Sequence, residues 1–111
     1  MMTIEEQDEV QVVHLEARVV DAKTAGHIRE TLQELMPHHK RFVLDLAATQ
    51  LVDSGGLAGI VMLLKNMNSQ QCKMVLCNLS KPVVTLFQLT KMDRLFKIQP
   101  DLKAAIGQCV E

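Results

Sequence analysis

From residue 10 onward, apolar runs with strand character alternate with apolar stripes at helical spacing, and this alternation most constrains the fold. Residues 10–15, Val-Gln-Val-Val-His-Leu, are β-rich and bounded by charge, and Thr3-Ile4 reads as part of an earlier edge strand. Val19-Val20 continues extended chain. Asp21 can then cap a helix, with Thr24 three residues on. Ala25, Ile28, Leu32 and Leu35 form one helical stripe, and Pro37 ends it, because the residue before a proline avoids the α region. Residues 42–46 are a short, nearly continuous apolar strand of the kind found beneath helices. A second helix runs to about Ser69, with Leu57, Ile60, Val61, Leu64 and Met67 on one face and Ala58, Met62 and Ser69 on the other. Residues 74–77 make another apolar strand. Ser80-Lys81-Pro82 opens a third helix carrying Val83, Leu86, Phe87 and Leu89. Residues 95–98 read as a short strand. Asp101 then caps a last helix with Leu102, Ala105, Ile106 and Cys109. The pattern predicts an α/β architecture with right-handed crossovers between strands.

At 111 residues the chain fits one domain, 1–111, since domains most often run about 100–150 residues. Its 48% hydrophobic content can bury a core, which aliphatic residues and seven Met must fill in the absence of Trp and Tyr. A net charge of −1 argues against a dedicated nucleic-acid binder. The charge is unevenly placed: residues 1–53 carry five cations and ten acids, residues 54–111 seven and three. If that asymmetry reaches the surface, it steers partner encounter rather than setting the fold. Cys72, Cys77 and Cys109 have no CxxC spacing and read as free, buried thiols of a reducing compartment. His14, His27, His38 and His39 lack the spacing of metal ligands, and the adjacent His38-His39 reads as a solvated connector. Glu5, Glu6, Asp8 and Glu9 stand where a secretory leader would be apolar, and no apolar run nears the ~20 residues of a membrane span. The expectation is a cytoplasmic protein without direct membrane insertion, needing no cofactor or metal.

One stretch stands out as a working site. Leu51-Val52-Asp53-Ser54-Gly55-Gly56-Leu57 comes after a strand and opens a helix. An acid, a hydroxyl and two glycines there predict free backbone N–H groups and flexible chain at one exposed point. Such a corner can hold an anion, carry a phosphoryl group or present a shape to a partner. It can also simply cap a helix, since caps use these same residues. No G-x-S-x-G elbow makes Ser54 a hydrolase nucleophile, and the glycine motifs of nucleotide binding are absent. Neither a base nor an oxyanion motif accompanies Ser54, so the sequence predicts no enzyme.

Leu44-Asp45-Leu46 followed by Asp53-Ser54-Gly55-Gly56-Leu57 resembles the signature of STAS domains, the bacterial anti-sigma factor antagonists and their relatives. Their usual form is an apolar strand and then D-S-[STA]-G-L at a helix start. Residues 20–25, Val-Asp-Ala-Lys-Thr-Ala, are similar to the family's L-D-x-x-T-A. Residues 74–80 with 83–87 resemble its M-x-[VL]-x-x-x-S…V-x-x-[LI]-F, and residues 95–98 its closing strand. The likeness spans about residues 10–100, and several motifs in order are more specific than any one. It implies a mixed sheet of about four to five strands with helices packed on one face.

The resemblance further implies binding without catalysis. In the antagonists, the corner and the adjoining helix dock onto an anti-sigma factor that is also a kinase. That kinase phosphorylates the second hydroxyl residue of the motif, and about two added negative charges in a close contact then disfavour the complex. Here that position is Gly55, which has no hydroxyl, so the standard phospho-switch is expected to be missing; Ser54 is left as the hydroxyl open to modification. The implied docking corner is Asp53, Ser54, Gly55 and Gly56, with an anti-sigma factor or kinase-like protein as partner and a monomer or weak homodimer as the state; the helix wheel adds Ala58 and Met62 on the outer face, where an exposed Met is either a lone surface residue or the adaptable apolar centre of the contact. A second branch, the STAS subunit of phospholipid-trafficking ABC transporters, binds the transporter ATPase, and resembles this chain in its hydroxyl residue followed by a small non-hydroxyl one. A third branch, the tails of sulfate-type anion transporters, fits a free-standing chain less well.

Overall fold

The computed structural model describes all 111 residues. A five-stranded mixed sheet has the order β1-β2-β4-β6-β7, built from β1 (Met2–Gln7), β2 (Val10–Leu15), β4 (Arg41–Asp45), β6 (Lys73–Cys77) and β7 (Lys97–Gln99). β1 and β2 form an antiparallel hairpin, and every other pairing is parallel. Each parallel step is bridged by a helix: α1 (Ala22–Leu35), α2 (Ser54–Ser69) and α3 (Lys81–Leu89). Two short strands that the sequence does not announce as a pair, β3 (Val19–Val20) and β5 (Leu51–Val52), form a second parallel sheet. Their role is local. They bring the chain before α1 against the chain before α2.

Strand alternation divides the interior into two layers. Val13, Phe42, Leu44, Met74 and Leu76 point to one face and meet Ile28 and Leu32 of α1, Ile60 and Leu63 of α2, and Val83 and Phe87 of α3. Val10, Val12, Val43, Val75 and Cys77 point to the other face and meet Ala105, Ile106 and Cys109 of α4 (Leu102–Val110). Three helices therefore share a face, whereas α4 covers the opposite one, which corrects the expectation that the helices pack on one face only. Residues 42–44 and 74–77 had to be apolar without alternation because both of their faces are buried.

Helix caps agree with the sequence. Asp21 accepts a hydrogen bond from the Thr24 N–H at 2.8 Å, and Asp101 one from the Ala104 N–H at 2.8 Å. Ser80 begins α3 but makes no side-chain cap, and its buried hydroxyl lacks a partner; Pro82 in the first turn needs none for its nitrogen. Two details of the sequence reading are corrected. The buried line of α2 is Gly56, Ile60, Leu63 and Met67, with Leu57, Val61 and Leu64 half-buried beside it, so the core face is rotated towards Leu63. Residues 95–98 are not one strand: a 3-10 turn, Met92–Arg94, leads into an exposed Leu95, and only Lys97–Gln99 pairs with β6.

Candidate functional site

The corner is built by β5, which delivers Asp53 to the start of α2. Asp53 is extended, with φ −87° and ψ −179°; its carboxylate accepts from the Gly56 N–H at 2.8 Å and its carbonyl from the Leu57 N–H at 2.8 Å. The carboxylate bond satisfies a donor that a helix start otherwise leaves open, and the carbonyl bond is the first of the helix's own backbone ladder. Ser54 is the first helical residue and is exposed, as are Asp53, Ala58 and Met62.

The two glycines do something other than loosen the chain. Both lie inside the first turn of α2, and no glycine of the protein has a positive φ. A Cβ on Gly56 would stand 1.9 Å from the Val20 carbonyl oxygen, so Gly56 is the point where α2 presses on β3. That carbonyl also accepts from the Asp53 N–H at 3.2 Å. A Cβ on Gly55 would lie 3.0 Å from the Ala22 Cβ, and one on Gly59 2.3 Å from the Ala25 Cβ. α1 and α2 therefore cross on small residues. Gly56 is buried and Gly55 half-buried, whereas Ser54 looks outward. The expectation of flexible chain at the corner is replaced by a helical, closely packed one. The left-handed positions of the protein fall on Asp8, Glu9, Gln71, Asn78 and Lys91 instead.

Ser54 borders a shallow hollow of about 450 Å³ formed with Leu57, Ala58, Val61, Met62 and Lys65 of α2 and with Met92 and Leu95 across from them. Met62 is 46% exposed and Leu95 54%, high for large apolar side chains sharing one surface. Sequence reasoning reached Ala58 and Met62 but not Met92 and Leu95. The only signal for the latter pair was that two apolar residues flank a charged turn.

A second polar cluster lies where β1, β2 and β4 run side by side, and it too escaped the sequence. The His14 ring bonds the Asp45 carboxylate through Nδ1 at 2.6 Å and the Glu5 carboxylate through Nε2 at 2.8 Å. Asp45 also accepts from the Asn78 amide at 3.0 Å and the Ala47 N–H at 3.0 Å. Burial favours the neutral imidazole, but bonds to the two carboxylates outweigh it and raise the His14 pKa. Burial likewise opposes the Asp45 charge, yet bonds from Asn78, His14 and Ala47 hold its carboxyl below the usual range. The three thiols are buried and free, and burial pushes Cys77 up to about 12. They are inert packing groups. No three His, Cys, Asp or Glu side chains are grouped to hold a metal ion, and no helix is long and apolar enough to cross a membrane.

Fold and corner together define a class: α/β domains that expose a serine beside the capping acid where a central helix begins. The STAS domain family model matches residues 1–105, and the chain belongs to that family. An anti-sigma factor antagonist from Mycobacterium paratuberculosis is 20% identical with a TM-score of 0.85, covering 100% of this chain and 94% of its own. A STAS domain anti-sigma-factor antagonist protein from Planctomyces limnophilus is 17% identical, TM-score 0.82, covering 99% and 98%. The murine solute carrier 26 family member A9 anion transporter contains a similar unit: 14% identity, TM-score 0.77, covering 95% of this chain but 18% of the transporter. At these identities the structural likeness speaks for the fold.

Proposed function

We propose that this STAS domain is a non-catalytic regulator of the anti-sigma factor antagonist type. It docks a kinase-like anti-sigma factor through Asp53, Ser54 and the outer face of α2. The reading is carried by one observation: exposed Ser54 adjoins an apolar surface, Leu57, Ala58, Val61, Met62, Met92 and Leu95, that no element of the chain covers. Gly55 and Gly56 support the dock from beneath, the former against Ala22 and the latter against Val20. Because Gly55 has no hydroxyl, the domain binds without the usual phosphate switch, and Ser54 is the remaining residue through which charge can enter the contact. Such binding acts in the cytoplasm, in control of transcription.

A second reading rests on the pair Ser54-Gly55: a STAS subunit held against the ATPase of a phospholipid-trafficking ABC transporter. Pull-down from native lysate separates the two. Recovery of a kinase-type anti-sigma factor supports the first. Recovery of an ABC ATPase alone refutes it in favour of the second.

A further inference from the structure

The hollow beside Ser54 continues along α2. A second hollow of about 360 Å³ is lined by Leu64, Asn68, Lys73 and Lys97, among others, and shares Leu95 with the first. The two form one trough flanked by α2 on one side and by the Met92–Lys97 segment on the other. α2 has 16 residues, so the trough has a ridge of about 24 Å, the length of four helical turns. Its Ser54 end is mostly apolar, and its far end mixes Leu64, Cys72 and Met74 with Asn68, Gln71 and two lysines. Every charged residue lining it is a lysine: Lys65, Lys73 and Lys97. The Lys73 ammonium is turned to the Gln108 carbonyl, while Lys65 and Lys97 are exposed and no Lys or Arg of the chain is in a salt bridge. Between residues 54 and 98 there are six cations and a single acid, Asp93. The asymmetry of the sequence therefore has a surface consequence.

We propose that this trough receives an acidic amphipathic helix of a protein partner. Its apolar stripe lies over Leu57, Val61, Met62 and Leu95, and its carboxylates meet Lys65 and Lys97. The inference rests on the docking reading above and specifies the partner's chemistry. A channel between two ridges fits a helix laid into it, with anchors repeating every three or four residues. It fits a flat lipid surface poorly. A second copy docking by this same face would oppose lysine to lysine with no acid in the trough to relieve them.

The test uses the intact chain and two designed helical peptides of about five turns. Both carry a leucine stripe; one is flanked by glutamate, its twin by lysine. Amide NMR shifts and calorimetry are read for each, alongside vesicles of phosphatidylcholine and phosphatidylglycerol. The glutamate peptide is expected to shift the amides of residues 57–65 and 92–97 and to bind at least about tenfold more tightly than the lysine twin. The double variant Lys65→Glu/Lys97→Glu is expected to reverse that preference while keeping its melting temperature. Equal binding of both peptides, binding of neither, capture by the anionic vesicles instead, or self-association through this face would each overturn the proposal. Loss of native-partner capture in Met62→Asp, but full retention in the lysine double variant, would overturn it too and leave the docking reading standing.

Discussion

Replacing each glycine by alanine gives a series whose sign is set by position, because the same added methyl meets different surroundings. All five glycines lie within helices. At Gly26 and Gly107 nothing stands within 4 Å of the new Cβ, so the helix gains about 0.5–1 kcal/mol from the lost glycine freedom. At Gly55 the Ala22 Cβ is 3.0 Å away and must yield by a few tenths of an ångström; the helix gain offsets this, for a net effect within about 1 kcal/mol. At Gly59 the 2.3 Å approach to the Ala25 Cβ forces α1 and α2 apart at their crossing, costing about 2–3 kcal/mol. At Gly56 the obstacle is backbone. A Cβ 1.9 Å from the Val20 oxygen must displace β3 and break the bond from the Asp53 N–H, at about 3 kcal/mol or more. In a domain of this size about 1 kcal/mol corresponds to roughly 4 °C in Tm. Circular-dichroism melts should thus place Gly107→Ala a few degrees above the native protein and Gly56→Ala more than about 12 °C below it. Equal melting of Gly56→Ala and Gly107→Ala would refute the claim that the corner is held by contact between α2 and β3.

The same geometry sets other expectations. Met62→Asp should weaken partner capture and leave the melt nearly unchanged, whereas Leu63→Asp, one residue along, should cost more than about 4 kcal/mol by burying an unpaired charge, read by urea unfolding. Gly55→Ser should fold and regain a phosphate acceptor for a cognate kinase, read by phosphate transfer; an unfolded variant would show that Ala22 cannot yield. His14 has a raised pKa, so its stabilisation is complete below about pH 6.5 and fades as pH rises through the folded value. Asp45 and Glu5 have lowered values, so theirs is present above about pH 4 and fades on acidification through their folded values. The cluster as a whole stabilises most in mildly acid solution, and the NMR titration midpoint of His14 should fall in Asp45→Asn.

Element order was legible because each device acts locally. Asp21, Asp53 and Asp101 each cap the helix that begins beside them, and the stripe Ala25, Ile28, Leu32 fixes the phase of α1. The phase of α2 was harder. Its residues are apolar almost all round, since Leu57, Val61 and Leu64 border the core while Leu63 enters it, so periodicity alone could not choose the inward line. α4 could not be assigned a face from its own pattern; the assignment comes from strands 42–44 and 74–77, whose unbroken apolar runs require cover on both sides. At the site, Asp53, Ser54, Ala58 and Met62 were readable from the cap and the helix wheel. The buried role of Gly56 was not, because it depends on Val20, and Val20 reaches Gly56 only through the pairing of β3 with β5. Met92, Leu95 and the His14 cluster were hidden for the same reason: each joins residues far apart in the chain.

The Ser54 corner and the outer face of α2 acting together as the docking surface is the central claim. Hydrogen exchange of the native complex, compared with the free chain, tests it most directly. Partner-induced protection is expected to concentrate in residues 54–65 and 92–97. Protection confined to the β1 edge or to α4, with α2 exchanging as in the free protein, would contradict it.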